Sequence, residues 1–229
     1  MAYGYGTNSP FGLKPSRGWD GTTNPYYIAS GYATSLYKGD PVVGLGNGTI
    51  GIGVTSVGIL GVFWGCNYIN SSGTVVHSDY WPANTVLSTA TAATGAIAYV
   101  IDDPFVLFDI QVSNSTAFDT TNNTYPTAVS EISLNANASF VIGAGANGNP
   151  ATGSTVTGLS GYYLDYSTIN TTNTLSLKIL QLTPFINNSF NAVTQNTTTG
   201  LYSQSNPFNN VIVQINNHVL KGGPGTLAV

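Results

Sequence analysis

The sequence predicts an all-β fold: an antiparallel β-sandwich or barrel with long irregular loops and extended N- and C-terminal arms. Three observations carry that prediction. Short apolar segments alternate at period two, as half-buried strands do. Glycine, proline and asparagine turns punctuate them at short intervals. No segment keeps an apolar stripe at helical spacing for more than two turns. The expected organisation is an N-terminal arm over 1–25, a single β domain over 26–220 and a C-terminal tail over 221–229. Within the domain, core hairpins fill 26–112, a loop-rich excursion fills 113–173, and closing strands fill 174–220.

Residues 1–25 are broken by Gly4, Gly6, Pro10, Gly12, Pro15, Gly18, Gly21 and Pro25 and show no periodicity. They still carry Tyr3, Tyr5, Phe11 and Trp19, with Lys14 and Arg17, two of the five basic residues. So much aromatic surface implies that the arm packs against something, a partner subunit or its own core. Tyr26–Leu36 reads as the first strand, interrupted at Gly31, and Val42–Leu45 as a short one after the turn at 37–41. Gly46-Asn47-Gly48 is a hairpin turn. Beyond it Gly51 and Gly53 alternate with Ile50, Ile52 and Val54, marking close backbone approach or a barrel bend.

The organising unit is Ile59–Pro82. Leu60, Val62, Trp64, Cys66 and Tyr68 fall on one face at period two, Asn70-Ser71-Ser72-Gly73 reverses the chain, and Thr74–Asp79 returns. One hairpin is only marginally stable, so partner strands are required. A second hairpin is expected from Gly95–Ile101, the turn Asp102-Asp103-Pro104, and the apolar face Val106, Phe108, Ile110 and Val112. Polar residues dominate 113–173, with a weakly periodic patch at Ala128–Leu134 and anchors at Phe140–Ile142 and Tyr162–Leu164. Leu175–Leu182 and Val211–Leu220 read as the last strands. Between them lies an Asn/Thr/Gln-rich loop pinned by Phe185, Phe190, Tyr202 and Phe208.

Charge narrows the function. Only 6% of the residues are Asp, Glu, Lys or Arg, against about 25% in ordinary soluble proteins. Solubility rests on Asn, Thr, Ser and Gly, which suits a protein that works assembled or on a surface. Five basic residues against nine acidic ones allow no basic patch, so nucleic acid is not an expected partner. No apolar run approaches a membrane span and the N-terminus lacks signal-peptide character, so no membrane partner is expected. The single cysteine, Cys66, excludes an internal disulfide and reads as a small core hydrophobe.

Candidate chemistry is sparse. Gly143-Ala144-Gly145-Ala146-Asn147-Gly148 matches G-x-G-x-x-G after a strand-like segment, with Asp165 downstream. The dinucleotide reading fails because Asn149-Pro150-Ala151-Thr152-Gly153 cannot open the helix whose N-terminus would hold a pyrophosphate. Asp102 and Asp103 are adjacent and therefore diverge on a strand, so they read as turn formers, with a calcium ion shared with Asp109 as the alternative. His77 and His218 are expected in hydrogen-bonded structural roles, and two histidines with one cysteine give no zinc spacing. No G-x-S-x-G occurs. The chain is expected to be no enzyme, with no catalytic, cofactor or metal residues.

Several segments together resemble a known class: Tyr37-Lys38-Gly39-Asp40-Pro41-Val42, Gly61-Val62-Phe63-Trp64-Gly65-Cys66, Tyr80-Trp81-Pro82, and Asp102-Asp103-Pro104 leading into Phe108-Asp109-Ile110-Gln111. Their rhythm, over 26–112 and more weakly over 175–220, is similar to the capsid decoration (cement) proteins of tailed double-stranded DNA bacteriophages. That resemblance implies a structural virion protein, often a homotrimer. It would bind the major capsid protein of an HK97-type shell at capsomer junctions on the outer surface, after synthesis in the host cytoplasm. On that reading the expected capsid or subunit contacts are Tyr3, Tyr5, Phe11, Lys14, Arg17 and Trp19 of the arm, with Leu227 and Val229 of the tail. The alternative is a receptor- or glycan-binding module of a phage tail fibre or spike, which low charge and Asn/Thr/Tyr-rich loops would also suit. A glycosidase jelly roll ranks third, since it needs two carboxylates converging in a cleft.

Overall fold

The computed structural model describes residues 9–55, 58–89, 95–113, 133–142, 153–184, 193–195, 202–204 and 209–221. In chain order its strands are β1 (Lys14–Arg17), β2 (Asn24–Ile28), β3 (Leu36–Tyr37), β4 (Pro41–Gly44), β5 (Ile50–Ile52), β6 (Gly61–Ile69), β7 (Val75–Ser78) and β8 (Tyr80–Trp81). There follow β9 (Ala96–Ile101), β10 (Leu107–Ser113), β11 (Asn137–Ala138), β12 (Phe140–Ile142) and β13 (Tyr162–Asp165). The last are β14 (Leu177–Leu182), β15 (Val193–Gln195), β16 (Tyr202–Gln204) and β17 (Asn210–Ile215). The chain is nearly all-β, as its alternation predicts. No helix among the described residues is long and apolar enough to cross a membrane.

One sheet runs β2-β9-β6-β4-β5, with β7 continuing along β6. β5 curls back towards β2, so the sheet is nearly closed into a barrel. Its interior is filled by Ile28, Val42, Ile50, Phe63, Cys66, Ala96, Ala98 and Val100, and Leu36, Trp81 and Leu87 pack into the same core. Small residues on β9 suit so narrow a lumen. The curl needs glycine where strands press together: a Cβ on Gly53 would lie 2.9 Å from the Pro41 carbonyl oxygen.

The second sheet runs β11-β14-β17-β10-β13-β12. One edge of β10 is shared: β1 lies antiparallel to its first half (Lys14↔Asp109), and β13 runs parallel to its end (Val112↔Leu164). Val106, Phe108, Ile110 and Val112 form the apolar face read from the sequence. They meet Leu177, Ile179, Val211, Val213 and Ile215, and from the barrel's outer wall Val43, Val62 and Ile101. One core therefore joins the two sheets.

Three expectations change. β9 and β10 are not a hairpin: β9 pairs β2 and β6, β10 pairs β1, β13 and β17, and Asp102-Asp103-Pro104 carries the chain from one sheet to the other. The face of β6 switches midway. A bulge between Phe63 and Gly65, where Gly65 has φ 152°, leaves Val62 and Trp64 on the inter-sheet side and turns Cys66 and Tyr68 to the barrel side. One extra residue in a strand inverts everything beyond it. The first strand ends at Ile28, and Leu36–Tyr37 pairs instead with Tyr80–Trp81. The described part of the N-terminal segment packs on its own core, one of the two outcomes expected for it. Leu13 is fully buried in the inter-sheet core, because β10 offers an unpaired edge that Lys14–Arg17 completes.

Local turn chemistry follows the sequence. Asn70 Oδ1 accepts the amides of Ser72 (3.0 Å) and Thr74 (2.9 Å), closing the β6–β7 hairpin. Asn47 Oδ1 accepts the Thr49 amide in the β4–β5 turn. Asp103 Oδ1 accepts the Phe105 amide at 2.8 Å.

Candidate functional site

Two surfaces stand out. The first is a groove of about 540 Å³ where the N-terminal segment, the β3–β4 connection, β6 and β10 meet. Phe11, Lys14, Lys38, Trp64, Asp79 and Asp109 line it, with Leu159 closing one side. Lys38 Nζ lies 4.6 Å from the Trp64 ring centroid and 3.3 Å from Asp79 Oδ1. Trp19 sets its ring edge-on to Trp64, with centroids 5.2 Å apart. Lys14 stands across from Asp109 in the β1–β10 ladder.

Asp109 is nearly buried and accepts the Thr183 hydroxyl at 2.6 Å. Burial pushes its carboxyl up, and the Thr183 hydrogen bond and the Lys14 ammonium oppose that rise. Leu159 belongs to a tight turn over 153–160. That turn is tied down where the Lys38 amide donates to the Gly158 carbonyl and the Ser160 amide to the Lys38 carbonyl. The β1–β10 ladder and the pairing of Lys38 with this turn thus hold the groove in shape.

The second surface is the outward face of β2, β9, β6 and β7. Registers place Pro25, Tyr99 and Gly65 in one row, Tyr27, Ile97, Asn67 and His77 in the next, and Ile69 beside Val75. None of these residues is Asp, Glu, Lys or Arg. Tyr27 is 49% exposed, Val75 56%, and Ile97 and Tyr99 each 37%. Tyr27, Ile69, Val75 and Ile97 border a shallow depression of about 480 Å³. Along β9 the same face continues to Ile101, which the second sheet covers. The open end is what remains uncovered.

Of the expected contact residues, Phe11 and Lys14 line the groove and Trp19 supports it through Trp64. Arg17 is exposed on β1 opposite Leu107. Tyr3, Tyr5, Leu227 and Val229 lie outside the described residues, as does the glycine-rich segment 143–148. Lys38, Trp64, Asp79 and Leu159 were not singled out as site residues by sequence, and Asp109 only as a possible calcium ligand beside Asp102 and Asp103. They come from four separate stretches with no shared spacing, and only the scarcity of charge marks Lys38 and Asp79.

The remaining candidates have local partners. Asp102 accepts the Tyr26 hydroxyl at 2.7 Å and the Asn24 amide group at 2.8 and 3.1 Å, and burial with that carboxylate pushes the Tyr26 phenol up to about 12. Asp109 is engaged elsewhere, with Thr183, and among the described residues no three His, Cys, Asp or Glu side chains gather as a metal set. His218 is buried, its Nδ1 accepting the Leu220 amide at 3.1 Å. His77 departs from its expected structural role, since it is exposed on the outward face of β7. Cys66 is buried in the barrel, where its Sγ donates to the Tyr80 carbonyl.

No protein-family model matches the chain, and no curated protein or solved structure matches it either.

Proposed function

We propose that this protein is a structural virion protein that binds the outside of an HK97-type phage capsid at capsomer junctions and stabilises the shell, as a homotrimer. The supporting observation is the uncharged outward face of β2, β9, β6 and β7, which leaves Tyr27, Ile97, Tyr99 and Val75 in water. Exposed apolar clusters of this kind mark protein contacts, and aromatic anchors supply most of the binding energy in such contacts. β7 also lacks the lysines that guard edge strands against pairing. Repeating a modest contact over a closed shell multiplies its effect, and anything that binds only the assembled shell stabilises it by mass action.

The test is imaging and densitometry of particles of the phage that encodes the chain. The expected result is density at capsomer junctions on the outer shell, at hundreds of copies per particle. Density on the tail, or tens of copies, overturns the reading. Ile97→Lys combined with Tyr99→Lys should abolish decoration while leaving a folded chain. Truncation is informative only over residues 2–8, because removing 2–25 would strip β1 from β10 and Leu13 from the core.

A further inference from the structure

The groove beside Trp64 has a recognition chemistry that adhesion through the sheet face does not use. Of only five basic and nine acidic residues in the chain, two of each line it. The lining is therefore balanced: the ammonium groups of Lys14 and Lys38 against the carboxylates of Asp79 and Asp109. An anion or a cation entering it gains from one pair and is repelled by the other. A ligand rich in hydroxyls meets no such conflict. Each hydroxyl can donate to a carboxylate and accept from an ammonium, and charge-assisted bonds of that kind are stronger than neutral ones.

The walls between the charges are apolar. Phe11, Trp64 and Leu159 offer surface to the C–H faces of a saturated ring. The volume, about 540 Å³, falls within the roughly 300–1,000 Å³ of small-ligand sites. The parts are also held in place before any ligand arrives. Trp64 is fixed by Trp19 and Lys38, Asp109 by Thr183, and Leu159 by the turn bonded to Lys38. Groups already ordered lose little entropy on binding.

From this geometry we infer that the groove is a binding site for a neutral saccharide of about disaccharide size. The inference stands apart from the capsid reading: a shell protein and a free protein could both carry the site.

The test uses the full chain and its own tryptophan fluorescence, titrated with lactose, maltose and N,N′-diacetylchitobiose, with sialyllactose as the anionic probe. At least one neutral disaccharide is expected to bind saturably, and Lys38→Met and Asp79→Asn should each weaken it by roughly tenfold or more. Both positions are partly exposed, so both variants should fold. Val86→Ser, outside the groove, should bind as the parent does. Absence of saturable binding by all three neutral sugars overturns the assignment. So does undiminished binding by the Lys38 and Asp79 variants, or tighter binding of sialyllactose than of lactose.

Discussion

Replacing Asp40 by asparagine should change how stability depends on pH. Asp40 sits at the β3–β4 turn, almost fully buried. Its Oδ2 accepts the Tyr37 amide at 2.7 Å, while Oδ1 is buried without a hydrogen bond. Burial pushes its carboxyl up to about 7, with the nearby Ser160 hydroxyl and the Tyr37 amide opposing. Tyr162, the neighbouring phenol, is pushed up by its own burial and by the Asp40 charge, so it stays neutral over the working range. Because the folded value lies above the unfolded 3.8, the folded state holds its proton where the unfolded chain has lost it. Asp40's contribution is therefore full below about 4 and is lost as pH rises to about 7. At 1.36 kcal/mol per pH unit, the ceiling on that loss is roughly 4 kcal/mol.

His218 tilts the other way. Burial lowers it from 6.5 to about 4, so the unfolded chain takes up the proton first and stability is lost as pH falls from 6.5 towards 4. Between those limits the two slopes cancel. Asparagine at 40 keeps the acceptor for the Tyr37 amide and removes the titration, which leaves the acid limb of His218 exposed. The assay is urea unfolding of parent and Asp40→Asn across pH 4 to 7.5, with unfolding free energies subtracted at each pH. The variant should gain on the parent steadily as pH rises from about 4 to about 7. A difference that stays constant over that range refutes the reasoning.

Three further outcomes are expected. Gly12→Ala should cost about 3 kcal/mol or more, read as a loss in thermal midpoint, because Gly12 has φ +71° and a Cβ there would sit 2.4 Å from the Gly39 carbonyl oxygen. The Cys66 thiol, pushed up to about 12 chiefly by burial and secondarily by Asp79, should react with a disulfide reagent at neutral pH only in denaturant. Trp81 is fully buried against Tyr68 with its Nε1 unpartnered. Trp81→Ala should therefore cost about 3–5 kcal/mol by chemical denaturation, and Trp81→Phe distinctly less, because it keeps a ring and removes the stranded donor.

The sequence by itself determined what depends on neighbours along the chain. Alternation from Val106 to Val112 assigns those side chains to the core, because successive residues on a strand point to opposite faces. Asn70 and Gly73 specify the β6–β7 turn, because their own side chain and backbone freedom build it. The dearth of charge is likewise a property of composition alone, legible before any fold is known. Tertiary structure alone decided the pairings that no local signal encodes. Asp102-Asp103-Pro104 reads locally as a hairpin turn, and only the hydrogen bonds of β2, β6 and β17 make it a passage between sheets. The bulge at Trp64 and Gly65 is a matter of register against β9, so it exchanges the faces of Cys66 and Tyr68 without any mark in their spacing. The groove follows the same rule. Lys14 meets Asp109, and Lys38 meets Trp64 and Asp79, because distant strands close around a shared core, and side chains so far apart along the chain become neighbours only through that closure.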